Sequence, residues 1–245
     1  MITPLLILGV ALLIIAIICA IIAWNSEGRL AAIRAAPTTT AQDVYLRYRH
    51  DGGAFGQLCE VEGVVECDYS IDGPLSGQSC VIYSHTLTWE DWGQQSFGRR
   101  NPGGMARIGG STEVDDRHVP SFWVRDATGR VRVDPLLAEF DLKEIDERYE
   151  VMSASSSERR SWRTEKALPV GHQVYVLGYM GEKDGEPVLG QHRSDRSKRF
   201  IVSYRSEREL TRATGLRTNL FYLLAGLAGI GGIGLVMWQV FQRGR

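Results

Sequence analysis

The chain has 245 residues, a formal net charge of -1 and 23% charged residues, and the charges are unevenly placed. All 29 acidic residues, and every basic residue except Arg243 and Arg245, fall between two uncharged stretches, so the middle segment is mildly acidic. That balance excludes a general polyanion-binding surface, and the middle segment is long enough for one domain with its own core.

The first uncharged stretch is "LLILGVALLIIAIICAIIAW", Leu5 to Trp24. At about 1.5 Å per residue it matches a ~30 Å hydrocarbon core. It has no basic leader and no small-x-small cleavage site, so it reads as a retained transmembrane helix at 5–24, after a tail at 1–4. "SEGRLAAIRAA" continues that helix until Pro37 stops it. Thr38-Thr39-Thr40 then caps a second helix, "AQDVYLRYRH", with Thr39 and Gln42 at capping-box spacing and Gly52-Gly53 as its end. These juxtamembrane helices fill 25–55.

From Gly56 the texture becomes that of strands, and a β-rich domain is expected over 56–205. "QLCEVEGVVEC" alternates, "DGPLSGQS" is a turn-rich link, and "CVIYSHTLTWE" is a long strand rich in β-branched and aromatic residues. "GQQSFGRRNPGGMARIGGS" is Gly-rich, has no period and no phosphate-cradle spacing, and reads as an exposed loop. "FWVRDATGRVRVDP" is a hairpin. Phe122 and Val124 alternate with Trp123 and Arg125, then Val131 and Val133 alternate with the arginines. Its Asp126-Ala127-Thr128-Gly129 also matches the phosphorylated-aspartate run of ion-pumping ATPases. The Arg-Val-Arg that follows departs from that run, and the chain is too short for the accompanying nucleotide motifs. Asp126 and Gly129 are therefore structural turn residues, with Gly129 expected at positive φ.

"DLKEIDERYEVMSASSSERRSWRTEKA" is polar and charged and reads as a helix or mobile insertion. "LPVGHQVYVLGYM", "GEKDGEPVLG" and "KRFIVSYRS" supply the last strands. "ERELTRATGLRTN" forms a juxtamembrane helix at 206–219, leading into a second transmembrane helix at 220–241 and a tail at 242–245. In that second span Ala225/Gly229 and Ala228/Gly232 are small-xxx-small pairs, a candidate interface for a homo-oligomer. The predicted class is α+β: a mainly β soluble domain, a small OB-like barrel with a helical insertion, between two transmembrane helices.

No catalytic set emerges. His50, His85, His118, His172 and His192 stand apart from recognisable nucleophile partners. Cys59, Cys67 and Cys80, with or without His85, have no short ligand spacing, so buried free thiols are expected and no metal or other cofactor. Trp89, Trp92, Arg99 and Arg100 lie in or beside loops and are candidate surface contacts with headgroups or a protein partner.

Four motifs in order, "PLSGQSCVIYSHTLTWE", "FWVRDATGRVRVDP", "RTEKALPVGHQVYVLGYM" and "FIVSYRSERELTR" before a last apolar span, resemble the GIDE or beside-a-membrane domain. That domain is found in membrane ubiquitin ligases of the Mulan/MAPL type and in prokaryotic relatives. The resemblance implies a module held beside the bilayer. It also implies a C-terminal RING finger, which needs paired Cys and His ligands, and no Cys follows Cys80 in this sequence. Ubiquitin transfer is therefore not expected, and the leading expectation is a non-enzymatic scaffold or binding protein with lipid and protein partners. An auxiliary role in a ubiquitin-like or membrane-stress pathway is the alternative. Nucleic-acid binding by an OB-type barrel is opposed by the acidic segment. Arg29, Arg34, Arg205, Arg208, Arg212 and Arg217 flank the spans on the domain side, which places the domain in the cytoplasm, whereas the resemblance implies the outer side.

Overall fold

The computed structural model describes residues 4–50, 56–94, 104–154 and 157–243. These contain the helices α1 (Pro4–Ala35), α2 (Ala41–His50) and α3 (Glu207–Arg243). The strands are β1 (Leu58–Glu66), β2 (Ile71–Asp72), β3 (Ser79–Gln94), β4 (Met105–His118), β5 (Phe122–Arg125), β6 (Arg130–Val133), β7 (Glu139–Asp141), β8 (Lys143–Ala154), β9 (Ser157–Pro169), β10 (Gln173–Lys183), β11 (Glu186–Gly190) and β12 (Ile201–Ser203). The chain divides into two compact units, one formed by the two terminal segments and one spanning Pro37–Ser206.

In the terminal unit α1 packs along α3. α1 stops at Ala35, just before Pro37, and α3 joins the basic segment and the second apolar stretch into one helix. Both helices are long and apolar enough to cross a membrane, and their most apolar windows are only 11% and 6% buried. A core helix of a soluble protein would be mostly covered, whereas Ile7, Ile17, Ile21, Leu227, Ile230 and Val240 stand exposed. The seam is built on small residues. A Cβ added at Gly232 would lie 2.9 Å from the Gly9 carbonyl oxygen, and one added at Gly9 would lie 2.9 Å from Val236. Only glycine at both positions permits this approach of the two backbones.

In the second unit five strands close on themselves in the order β1-β5-β6-β11-β10, with β10 returning to β1. All of these pairings are antiparallel except β6 with β11. This is an OB-type barrel. The far edge of β10 is shared, its first half by β12 and its second by β11, and β7 extends β12 in parallel. The interior follows from period-two alternation. Val61, Val65, Phe122, Val124, Val131, Val133, Val174, Val176 and Leu189 are buried together, and Ala41 and Val44 of α2 join them.

Two insertions leave the barrel sheet, β2–β4 after β1 and β8–β9 after β7. They meet in a second sheet, β4-β3-β9-β8, with β2 on the root of β3. This blade overturns two expectations. The charged segment predicted as a helix or mobile insertion forms the strands β8 and β9. Its helix-favouring residues yield to a long ladder, Lys143↔Ala167 through Ala154↔Ser157 with one register shift between Glu144 and Asp146, which β3 extends from the other side. The Gly-rich segment predicted as a loop supplies the end of β3 and the first half of β4, and its residues 95–103 lie outside the described residues. Its glycines sit where the register shifts, and a Cβ at Gly110 would lie 2.7 Å from the Trp89 carbonyl oxygen.

Candidate functional site

The hairpin that raised the phosphorylation question resolves into structure. Asp126 Oδ1 accepts the Thr128 hydroxyl at 2.6 Å and the N–H groups of Thr128 and Gly129 at 2.7 and 3.0 Å. Its Oδ2 accepts the N–H of Ala41, the first residue of α2, at 2.7 Å, while Thr128 Oγ1 accepts the N–H of Gln42. Partial burial opposes ionisation of Asp126, but these donors outweigh it and hold the carboxyl below its ordinary pKa. A carboxylate with four donors is a turn and helix-capping group, poorly disposed to act as a nucleophile. Gly129 has φ +159°, a positive φ as expected and a backbone conformation that residues with a side chain rarely adopt. The capping box of α2 lies one residue later than its sequence suggested. Thr40 and Asp43 exchange hydrogen bonds, and the Thr39 hydroxyl instead reaches the Glu60 carbonyl at 2.7 Å. The Gly52-Gly53 stop lies outside the described residues.

The outer face of β5 and β6 carries Trp123, Arg125, Arg130 and Arg132, an arrangement suited to nucleic acid on an OB barrel. Its charge is already spent within the chain. Arg125 pairs with Glu66, Arg132 with Asp184 at 3.1 Å, and Arg130 lies over the Trp123 ring at 4.4 Å.

The blade separates the candidate contact residues. Trp89 pairs across the sheet with Ser161, and Trp92 with Glu158, which puts the two tryptophans on opposite faces. On the Trp92 face Arg160 covers the indole at 4.6 Å, and Tyr149 and Trp162 stack with centroids 5.1 Å apart. Tyr149, which its charged neighbours concealed in the sequence, is 53% exposed. Arg99 and Arg100 lie outside the described residues. At the root of the blade Glu165 is fully buried and accepts the N–H groups of Leu75 and Ser76 at 2.6 and 3.1 Å, together with the Ser76 hydroxyl. Arg148 donates to the Leu75 carbonyl at 2.7 Å, so both insertions are clamped to one turn.

The four cysteines are free. Burial raises the Cys59 thiol, and burial followed by the charge of Glu165 pushes Cys80 up to about 11. Among the described residues no group of three His, Cys, Asp or Glu side chains is placed to hold a metal ion. In the helical unit Gly232 meets Gly9 and Leu13, and a Cβ at Gly229 would lie 3.9 Å from the Ala16 Cβ. Ala225 and Ala228 are half-buried on the same side of α3. This small-residue face is taken up by α1 of the same chain, which leaves the expected homo-oligomer without that support.

An open cleft of about 480 Å³ lies at one end of the barrel. It lies between the turn after β6 and the loop after β11, with Leu136, Leu137, Tyr179, Met180 and Val188 in its wall. Nothing in the period-two pattern marked it, because its lining comes from two connections and one barrel edge.

No curated protein and no solved structure matches the chain. The family GIDE, described as E3 ubiquitin ligase, matches residues 113–237. The matched stretch holds the end of β4, all of β5 to β12 and most of α3. With that span of barrel, blade and apolar helix inside the match, the chain belongs to the GIDE family.

Proposed function

We propose that this is a two-pass membrane protein whose helices tether a GIDE barrel and blade that work as a non-catalytic binding module. The observation that supports it most is the amount of apolar and aromatic surface left unburied. The helices expose isoleucine and leucine around most of their circumference, as lipid-facing helices do. The blade is a sheet with both faces open, carrying Tyr149, Val151 and Met152 uncovered. The partners are the bilayer and a protein, without nucleic acid, because the arginines of the OB face are internally paired or stacked. The chain should resist extraction from membranes at alkaline pH and dissolve only in detergent. A turnover by the purified protein that one point substitution abolishes would overturn the non-catalytic reading.

The family description favours one other reading, an auxiliary role in a ubiquitin-like pathway that borrows catalysis from another chain. Mild-detergent purification that brings down a ligase or a ubiquitin-like modifier supports it, and purification without either removes it.

A further inference from the structure

The turn after β6 is folded at a cost the rest of the domain does not explain. Its residues are Pro135, Leu136, Leu137 and Ala138, closed by the Ala138 N–H donating to the Pro135 carbonyl at 3.1 Å. Leu137, in the third position, has φ +67°, where glycine or asparagine is the rule. Both leucines remain in water, Leu136 at 58% and Leu137 at 57% exposure. Strain combined with exposed apolar surface stabilises nothing in the chain by itself, and such outliers collect at binding sites.

The loop that borders the other side of the cleft is rich in basic residues, and of these Arg193 lines the cleft itself. The loop "QHRSDRSKR", Gln191 to Arg199, connects β11 to β12. Because β6 and β11 run parallel as neighbours, their following connections emerge at the same end of the barrel. Of the acids nearby, Asp134 is bound by Lys183 at 2.6 Å and Glu139 by Arg199, while Asp195, held by the N–H and hydroxyl of Ser197, keeps its negative charge within the loop. Glu182 is left on the rim. Against it stand Arg193 and Arg196, exposed and without an ion-pair partner among the described residues, and Lys198, 5.4 Å from the Tyr179 ring centroid. In a segment that is acidic as a whole, this is a local positive excess beside an apolar slot.

We propose that this cleft docks an acidic segment of a protein partner: an aliphatic side chain enters between Leu136, Leu137 and Val188, and flanking carboxylates meet Arg193, Arg196 and Lys198. The site would hold one or two side chains in its 480 Å³ and take its selectivity from charge. The proposal rests on reading the domain as a binding module.

The test is selection of random twelve-residue peptides on the full chain in zwitterionic nanodiscs. Enriched peptides should combine aspartate or glutamate with a leucine, isoleucine or valine. Leu137→Gly relieves the left-handed backbone, so its thermal midpoint should stay level or rise, yet the enriched peptide should bind about tenfold or more weakly. Arg193→Glu should weaken it comparably and reduce its salt dependence, which keeps the test decisive if Leu137→Gly misfolds. Neutral or basic consensus peptides, no enrichment, or binding indifferent to both substitutions would overturn the proposal. So would protection of a labelled Leu137→Cys in anionic but not zwitterionic nanodiscs, which assigns the cleft to a lipid surface. A catalytic turnover would defeat the non-catalytic reading without touching the peptide result, so the two failures are distinguishable.

Discussion

The Ala41 N–H donates to Asp126 Oδ2 at 2.7 Å, a capping bond between residues 85 apart in sequence. One carboxylate thereby ties the β5–β6 hairpin to the start of α2. Asp126→Ala should lower stability by about 1–2 kcal/mol through loss of a cap and a turn together, and Asp126→Asn by less. Gly129→Ala should cost about 1 kcal/mol or more, because φ +159° strains any side chain even though an added Cβ meets nothing within 4 Å. Thermal melts in detergent, followed by circular dichroism, check all three.

The same carboxylate gives an acid limb to the stability curve. Its folded pKa lies below the ordinary value, so its stabilisation is complete above an unfolded pKa of about 3.9 and disappears as pH falls through the lower folded value. The melting temperature of the wild type should drop below about pH 4, and Asp126→Asn should flatten part of that drop. Identical pH profiles for the two proteins would count against Asp126 as a source of the limb.

Glu165 is the buried junction of the blade. Glu165→Ala strips the acceptor from two backbone N–H groups at once and should cost about 3 kcal/mol or more. Gly73→Ala should disturb the same place, because its Cβ would fall 2.2 Å from Glu165 Oε1. Trp162→Ala, which removes only the half-open stack on Tyr149, should cost about 0.5–1.5 kcal/mol. The rank order of the three melting temperatures is the measurement.

Ala16→Cys with Gly229→Cys, in a Cys19→Ala background, should oxidise to a disulfide within one chain, given the 3.9 Å approach of the two positions. The cross-linked product should run at monomer mass. Adding Gly232→Leu should suppress it by forcing α1 and α3 apart. A cross-link at dimer mass would show that the small-residue face joins two chains.

Membrane side can be read with an impermeant maleimide. Cys59 and Cys80 are buried and their thiols are raised, so they should stay unlabelled on either side. Tyr69→Cys, at a position 85% exposed, in a Cys67→Ser background is the reporter. The basic residues flanking the spans predict labelling only after lysis. Labelling of intact cells would place the domain outside.

The two long apolar helices, the Pro37 stop, the Phe122–Val133 hairpin and the OB-like class were all legible, because each rests on a local period or a local breaker. The blade was not. β8 is written in residues that favour helix, and β4 begins in glycines, so only their pairing with β9 and β3 decides their state. Asp126 was readable as a turn residue from its neighbours, yet its second role depends on where α2 lands, which no local window contains. The small faces of α3 were visible as a packing surface, while the choice of α1 as their partner came from the close approach of Gly9 and Gly232. The sequence by itself determined the periods, the breakers and the charge balance. Tertiary structure alone decided which strands complete each other's backbone hydrogen bonds and which connections converge on one cleft, because both depend on contacts between residues far apart in the chain.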